Sequence, residues 1–302
     1  MASDSDSKPV ERLGFDVLRL TEDGAGSREI MSRIDPAEGP FLLDTYEAQA
    51  EDLERLSAAG FCLAVLNDGK RLDTYASDVV IDSAPSASRL PYRGKSGVRL
   101  CLGSDYFPLR REFLRVRRDR RIDQTGDRLV VTFGGADTGD QTARVLDLLQ
   151  ILDHPPETTA ILGPGYHGRA AANGLHTIER DVSNMATVLA RATISVSAAG
   201  STASELAFLG VPTILVALSR DQVPVGRAMA DMGAAIYLGS SEAVADTTIL
   251  DEIMTLFADQ GRRARMAEAG QALVDGRGAD RIAAAVLGAW SDRAPRRSSR
   301  SS

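Results

Sequence analysis

The chain alternates short β-branched runs with amphipathic stretches: "RLVVTF" then "QTARVLDLLQIL", "TTAILG" then "NMATVLARA", "TISVSA" then "STASELAFLG", "TILVAL" then "QVPVGRAMADMG". Strands this apolar need cover on both faces, and parallel neighbours need a crossover long enough to bring the chain back. The alternation therefore confines the chain to parallel α/β construction. The first half shows the same habit less regularly. There "FDVLRL", "FLLDTY", "CLAVLND", "DVVIDS" and "GVRLCLG" read as strands, with the helix "EAQAEDLERLSAAG" between the second and third and closed by Gly60.

A length of 302 residues allows two domains, each large enough to bury its own core. The polar stretch "IDQTGD" marks the boundary. The expected organisation is a polar tail and helix remnant over 1–13, a Rossmann-like unit over 14–121, a linker over 122–127 and a second Rossmann-like unit over 128–290. A disordered tail, "SDRAPRRSSRSS", is expected over 291–302. The basic run "PLRREFLRVRRDRR" reads as a helix with a solvated charged face beside the linker. Helices through "DEIMTLFAD", "RRARMAEAGQALVDG" and "DRIAAAVLGAW" close the second unit.

A formal net charge of −7 argues against a broad nucleic-acid or membrane-surface role, while leaving phosphorylated small molecules open to local dipoles. Cys62 and Cys101 sit in apolar strand-like runs outside any CxxC, and the three histidines are scattered, so no metal site can be written. His154 and His176 fall in loop-like contexts, and His167 in "GPGYHGRA" reads as a helix start. No apolar stretch reaches membrane-spanning length and no signal-peptide pattern opens the chain, so a cytoplasmic protein is expected.

The residues able to carry chemistry cluster where strands end. In "SVSAAGSTASELAFLGVP" a small-residue turn leads into a helix. The first N–H groups of a helix lack partners and its dipole is positive there, so Gly200, Ser201 and Thr202 could cradle a phosphate with Glu205 one turn further on. Thr202-Ala203-Ser204-Glu205 equally fits a capping box, with Glu205 reaching back to the Thr202 N–H. Gly134, Gly135 and Asp137 in "VVTFGGADTGD" form a second βα turn with backbone N–H groups for a diphosphate. Asp221 and Gln222 stand at a strand exit where they could meet a sugar or cap a helix. Asp44 and Tyr46 end the strand "FLLDTY", where a cap and a packed ring are the simpler roles.

Taken in order, "DTY", "VLNDGKRLDTYASDVVIDS", "LGSDYFPLRREF", "VTFGGAD", "SAAGSTASELAFLGVPTILVAL", "DQ" and "LVDGRGADRI" resemble the UDP-sugar hydrolase family of pseudaminic acid biosynthesis and its spore-coat polysaccharide relatives. The resemblance runs from about Gly14 to Ile282. It implies the two-domain GT-B fold shared with the glycosyltransferase that makes lipid II. It also implies that Gly134, Gly135, Asp137, Gly200, Ser201, Thr202 and Glu205 hold the nucleotide, with Asp44, Tyr46, Asp221 and Gln222 toward the sugar. Tyr46 and Asp221 are the catalytic candidates. No metal or cofactor is implied, since helix and loop amides would offset the diphosphate charge.

The family's opening strand leads into a Gly-Gly-His loop whose histidine activates water. No histidine precedes His154 here, so the resemblance implies a first unit lacking its opening strand, loop and helix, with a partner protein able to supply them. Asp221 stands where the family has Asn, and "GGA" where Gly-Gly-Ser is commoner. The implied activity is cleavage of a UDP-sugar at the anomeric carbon with UDP as leaving group, in surface glycan or nonulosonic acid biosynthesis. Transfer of the sugar to an acceptor, or binding without catalysis, would use the same cleft.

Overall fold

Helix α1 (Ser27–Arg33) and strand β1 (Pro40–Asp44) are followed by helix α2 (Ala50–Ala58) and strands β2 (Cys62–Leu66), β3 (Val79–Asp82) and β4 (Arg99–Leu102). This computed structural model describes residues 26–67, 69, 71–119, 126–180 and 182–293, with Gly14 and Val17. The strand expected at "FDVLRL" and most of the expected linker lie outside the described residues.

The four strands pair in parallel in the order β1-β2-β3-β4. Their side chains alternate between two cores, as the period of two in a strand requires. Leu43, Leu63, Val65 and Val80 face Leu53 and Leu56 of α2, whereas Cys62, Ala64, Val79, Ile81 and Cys101 line the opposite face. The start of α2 is fixed by a reciprocal pair: the Gln49 N–H donates to Asp52 Oδ2 at 3.0 Å, and the Gln49 side chain accepts from the Asp52 N–H.

Helix α3 (Arg111–Asp119) carries the basic run, yet its apolar side is packed. Phe113 is fully buried with Leu109 against Leu206 and Phe208 of the second unit, so the helix is docked and not merely solvated. Then follow β5 (Arg128–Thr132), α4 (Gln141–Leu149), β6 (Glu157–Leu162), β7 (His176–Arg180), α5 (Met185–Leu189), β8 (Ile194–Ala198), α6 (Ser201–Leu209), β9 (Thr213–Ala217), α7 (Gln222–Asp231), β10 (Ile236–Ser240), α8 (Asp246–Ala258), α9 (Gln260–Leu273) and α10 (Gly278–Arg293).

The second sheet is parallel throughout, ordered β10-β9-β8-β5-β6-β7. Every residue of β8 and β9 is buried, which is why both read as continuous apolar or small-residue runs. The order reverses between β5 and β8, whose following helices cover opposite faces. Such a reversal opens a crevice at the carboxyl ends of the strands.

Several features depart from the sequence reading. β7 and α1 were not expected, and His176, expected in a loop, is buried in β7. His167 is exposed in the loop after β6 and starts no helix. Helix α10, expected with the second unit and to end near residue 290, runs to Arg293 and packs on the first sheet. Ala289 joins Cys62, Ala64 and Ile81 there. Arg99 of β4 donates to the Ala285 carbonyl at 2.9 Å, and Arg293 pairs with Asp78 at 2.9 Å. At the start of α10 a Cβ on Gly278 would fall 2.2 Å from the Phe107 carbonyl oxygen, so only glycine permits this approach.

Candidate functional site

A cavity of about 280 Å3 opens at the carboxyl ends of β5, β8 and β9, where the strand order reverses. Its walls are the turn after β5 (Phe133 to Thr138), the turn into α6 (Ala198, Gly200, Ser201, Thr202) and the exit of β9 (Leu218, Ser219, Gln222). The sequence therefore located most of it: Gly134, Gly135, Asp137, Gly200, Ser201, Thr202 and Gln222 come together here. Asp44, Tyr46, Glu205 and Asp221 are outside the lining.

The Gly134-Gly135 turn rests on a loop that sequence reasoning did not single out. The Gly165 N–H donates to the Gly135 carbonyl at 2.9 Å. A Cβ on Gly163 would lie 2.5 Å from Gly135 Cα and 2.6 Å from the Gly134 oxygen, so the two backbones touch. The legible signal was "GPG" directly after a predicted strand. Asp137 has φ 44°, a left-handed conformation that Asp tolerates better than most residues. Its carboxylate accepts the Gln141 and Thr142 N–H groups, each at 2.9 Å, and so caps α4. Asp137 thus lines the cavity with its carboxylate already engaged.

Helix α6 begins at Ser201 with Gly200 as its N-cap, and no side chain caps it. The alternative Thr202–Glu205 capping box does not form, because the helix starts at Ser201, two residues before that register requires. The first N–H groups of α6 are left facing the cavity, with Ser201 exposed and Thr202 half-buried. Gln222 is held by its own Oε1, which accepts the Leu218 N–H at 2.9 Å. A Cβ on Gly200 would sit 3.8 Å from its Nε2, so the amide donor points toward the α6 turn.

Glu205 follows Ser201 and Thr202 by four and three residues, so it shares their face of α6. It is buried, and Arg110 Nε and Nη2 both donate to its Oε1, at 3.1 and 2.9 Å. Burial pushes the Glu205 carboxyl above the usual range, and Arg110 opposes that shift. Arg110 belongs to the basic run read as solvated. Nothing local links it to Glu205, since the two are 95 residues apart.

Across from this cavity lie the carboxyl ends of the first sheet. Arg89, after β3, pairs at 2.7 Å with Asp231 at the C-terminal end of α7 and so links the two units. Tyr46, just past β1, is 68% exposed, so its ring is not packed as the simpler of its two roles would have it. Arg71 lies over its ring at 5.2 Å and donates to the Thr45 carbonyl at 2.7 Å and to the Tyr46 carbonyl. Asp44 and Asp221 are exposed. Asp221 occupies the position before α7 with no side-chain cap bond. Among the described residues no group of acidic, His or Cys side chains could hold a metal ion. Likewise no helix among them is long and apolar enough to cross a membrane.

Two parallel-sheet α/β units with carboxyl edges opposed across a cleft define the GT-B fold of glycosyltransferases and related enzymes, and this chain has it. Superposition on MurG of Acinetobacter baumannii gives a TM-score of 0.64 at 13% identity, covering 94% of this chain and 88% of MurG. The spinosyn rhamnosyltransferase SpnG, in complex with spinosyn aglycone, matches with a TM-score of 0.57 at 16% identity, over 85% of this chain and 75% of that one. In sequence the chain is similar to the spore coat polysaccharide biosynthesis protein SpsG of Bacillus subtilis (strain 168). Identity is 24% over 254 residues, 80% of this chain and 74% of SpsG. It is also similar to the uncharacterized protein MJ1062 of Methanocaldococcus jannaschii, at 26% over 227 residues, 69% of this chain and 46% of that protein. No protein-family model matches the chain.

Proposed function

We propose that the protein binds a nucleoside diphosphate sugar, with UDP as the nucleotide, and acts at the anomeric carbon with the diphosphate as leaving group. The observation that carries this reading is the cavity at the strand-order reversal. Its walls are two backbone turns and an uncapped helix start, with no free carboxylate facing inward. Dipoles and N–H groups, not a cation, would hold the diphosphate there. Glu205 would take a ribose hydroxyl, and Asp44, Tyr46, Asp221 and Gln222 would meet the sugar. The likeness to SpsG supports a setting in surface polysaccharide synthesis.

The lining offers no side-chain base, because Asp137 is occupied by α4. Proton transfer is therefore assigned to the opposed edge, with Tyr46 and Asp221 as candidates. Hydrolysis and transfer differ only in the acceptor. Both are consistent with an exposed cleft, and the acceptor dependence of UDP release separates them.

Calorimetric titration with UDP tests the reading, paired with Gly135→Asp. Position 135 has open space for a side chain, so this variant should fold normally. An anion beside the diphosphate should abolish binding. Absence of UDP binding to the parent protein, or undiminished binding to the variant, would overturn the reading. UDP release from a UDP-sugar in water alone identifies a hydrolase, and release only on adding an alcohol acceptor identifies a transferase.

A further inference from the structure

We propose that Arg110 is a positioning residue of the nucleotide site: it occupies one oxygen of Glu205 so that the other is presented, ionised, to a ribose hydroxyl. This inference rests on the UDP reading above.

The geometry is specific. Both Arg110 contacts go to Oε1, and among the described residues Oε2 has no hydrogen-bond partner. A carboxylate gripped at one oxygen has its plane and free lone pairs fixed, the preorganisation that selective recognition of a hydroxyl requires. Arg110 is itself anchored. Its guanidinium lies 5.1 Å from the ring centre of Phe113, which is fully buried, and Nη1 reaches Glu112 at 3.5 Å. The guanidinium is therefore held between an aromatic face and two carboxylates, while about half of the side chain stays open to solvent.

The arrangement also answers an electrostatic problem. Glu205 lies in α6, nearly all of whose residues from Ala203 onward are buried, and an isolated carboxylate there would tend to take up a proton. The charged groups facing it are Arg110, which favours the ionised form, and Glu112, which opposes it. Removing Arg110 leaves burial and Glu112 acting in the same direction. The protonated acid would then present a donor where the ribose hydroxyl also has one to give, and the orientation of the free oxygen would be lost.

The test is UDP and 2′-deoxy-UDP affinity of the parent protein, Arg110→Met and Arg110→Lys, each at about pH 5.5 and about pH 8. Methionine keeps the stack on Phe113 without charge, and a thermal melt of each variant confirms folding. The expected result for Arg110→Met is a loss of UDP affinity of about tenfold, the scale of one charge-assisted hydrogen bond. The loss should be larger at the lower pH, and the preference for UDP over 2′-deoxy-UDP should shrink. Arg110→Lys should keep the pH profile near that of the parent while losing part of the discrimination. A folded Arg110→Met that matches the parent at both pH values overturns the role of Arg110 and leaves the UDP site standing. A parent protein that binds no UDP overturns both.

Discussion

The Tyr92 hydroxyl donates to Asp82 Oδ2 at 2.5 Å, and both side chains are buried. The same carboxylate accepts the Gly69 and Ala84 N–H groups at 3.1 and 3.0 Å, while Asn67 Nδ2 donates to the Tyr92 oxygen at 2.6 Å. The carboxyl ends of β2 and β3 are thereby tied together, and Arg71 extends the tie to Thr45 and Tyr46. Burial and the Asp82 carboxylate raise the Tyr92 pKa well above that of a free phenol, so it stays a donor at any ordinary pH.

Tyr92→Phe removes one donor from a buried carboxylate. Chemical denaturation should show a loss of about 2 kcal/mol, the usual cost of leaving a buried acceptor short of a partner. A variant as stable as the parent would mean that solvent reaches this network.

Asp137→Ala should lower stability by about 2 kcal/mol, from lost capping of α4 and from a left-handed residue without a compensating side chain. Asp137→Asn keeps an acceptor and tolerates φ 44°, so it should cost well under half as much. If the carboxylate touched the nucleotide favourably, Asp137→Asn would weaken UDP binding; the capping role predicts equal or tighter binding.

Gly163→Ala must displace the Gly134-Gly135 turn, since the added Cβ would fall within 2.6 Å of three backbone atoms. We expect about 1–3 kcal/mol of destabilisation together with weaker UDP binding. Destabilisation with unchanged affinity would show that this turn does not hold the diphosphate.

Glu205→Gln bears on pH. A carboxyl whose folded pKa is raised above its unfolded value favours folding at pH values below the unfolded one, and that contribution is lost as pH rises through the folded one. The variant should therefore match or exceed the parent in melting temperature at neutral pH, and the difference should close as pH falls toward about 4. UDP affinity at neutral pH should drop despite that stability. An earlier melt with unchanged affinity would mark Glu205 as structural.

The alternation of strands and helices was legible because buried parallel strands leave little room for polar residues, as "ISVSA" and "TILVA" illustrate. β7 escaped notice because "HTIER" lies on an edge, where only His176 of the five residues is buried and charge is tolerated. The cavity walls were legible from small residues at strand ends. The partner of Glu205 was not. A capping box is a local pattern, whereas the salt bridge to Arg110 comes from a segment that reaches α6 only through tertiary packing of Phe113. The return of α10 to the first sheet is likewise a packing outcome, since "DRIAAAVLGAW" would suit either core.

That return has a mechanical consequence. The chain passes from one unit to the other near Phe107 and back again at Gly278, and these two passages lie in direct backbone contact. Held at this crossing and again by the Arg89–Asp231 pair, the units share one buried backbone pivot and one exposed ionic latch, and only the latch is open to weakening by salt. A side chain at Gly278 would force this crossing apart, because its Cβ would meet the Phe107 backbone at 2.2 to 2.6 Å.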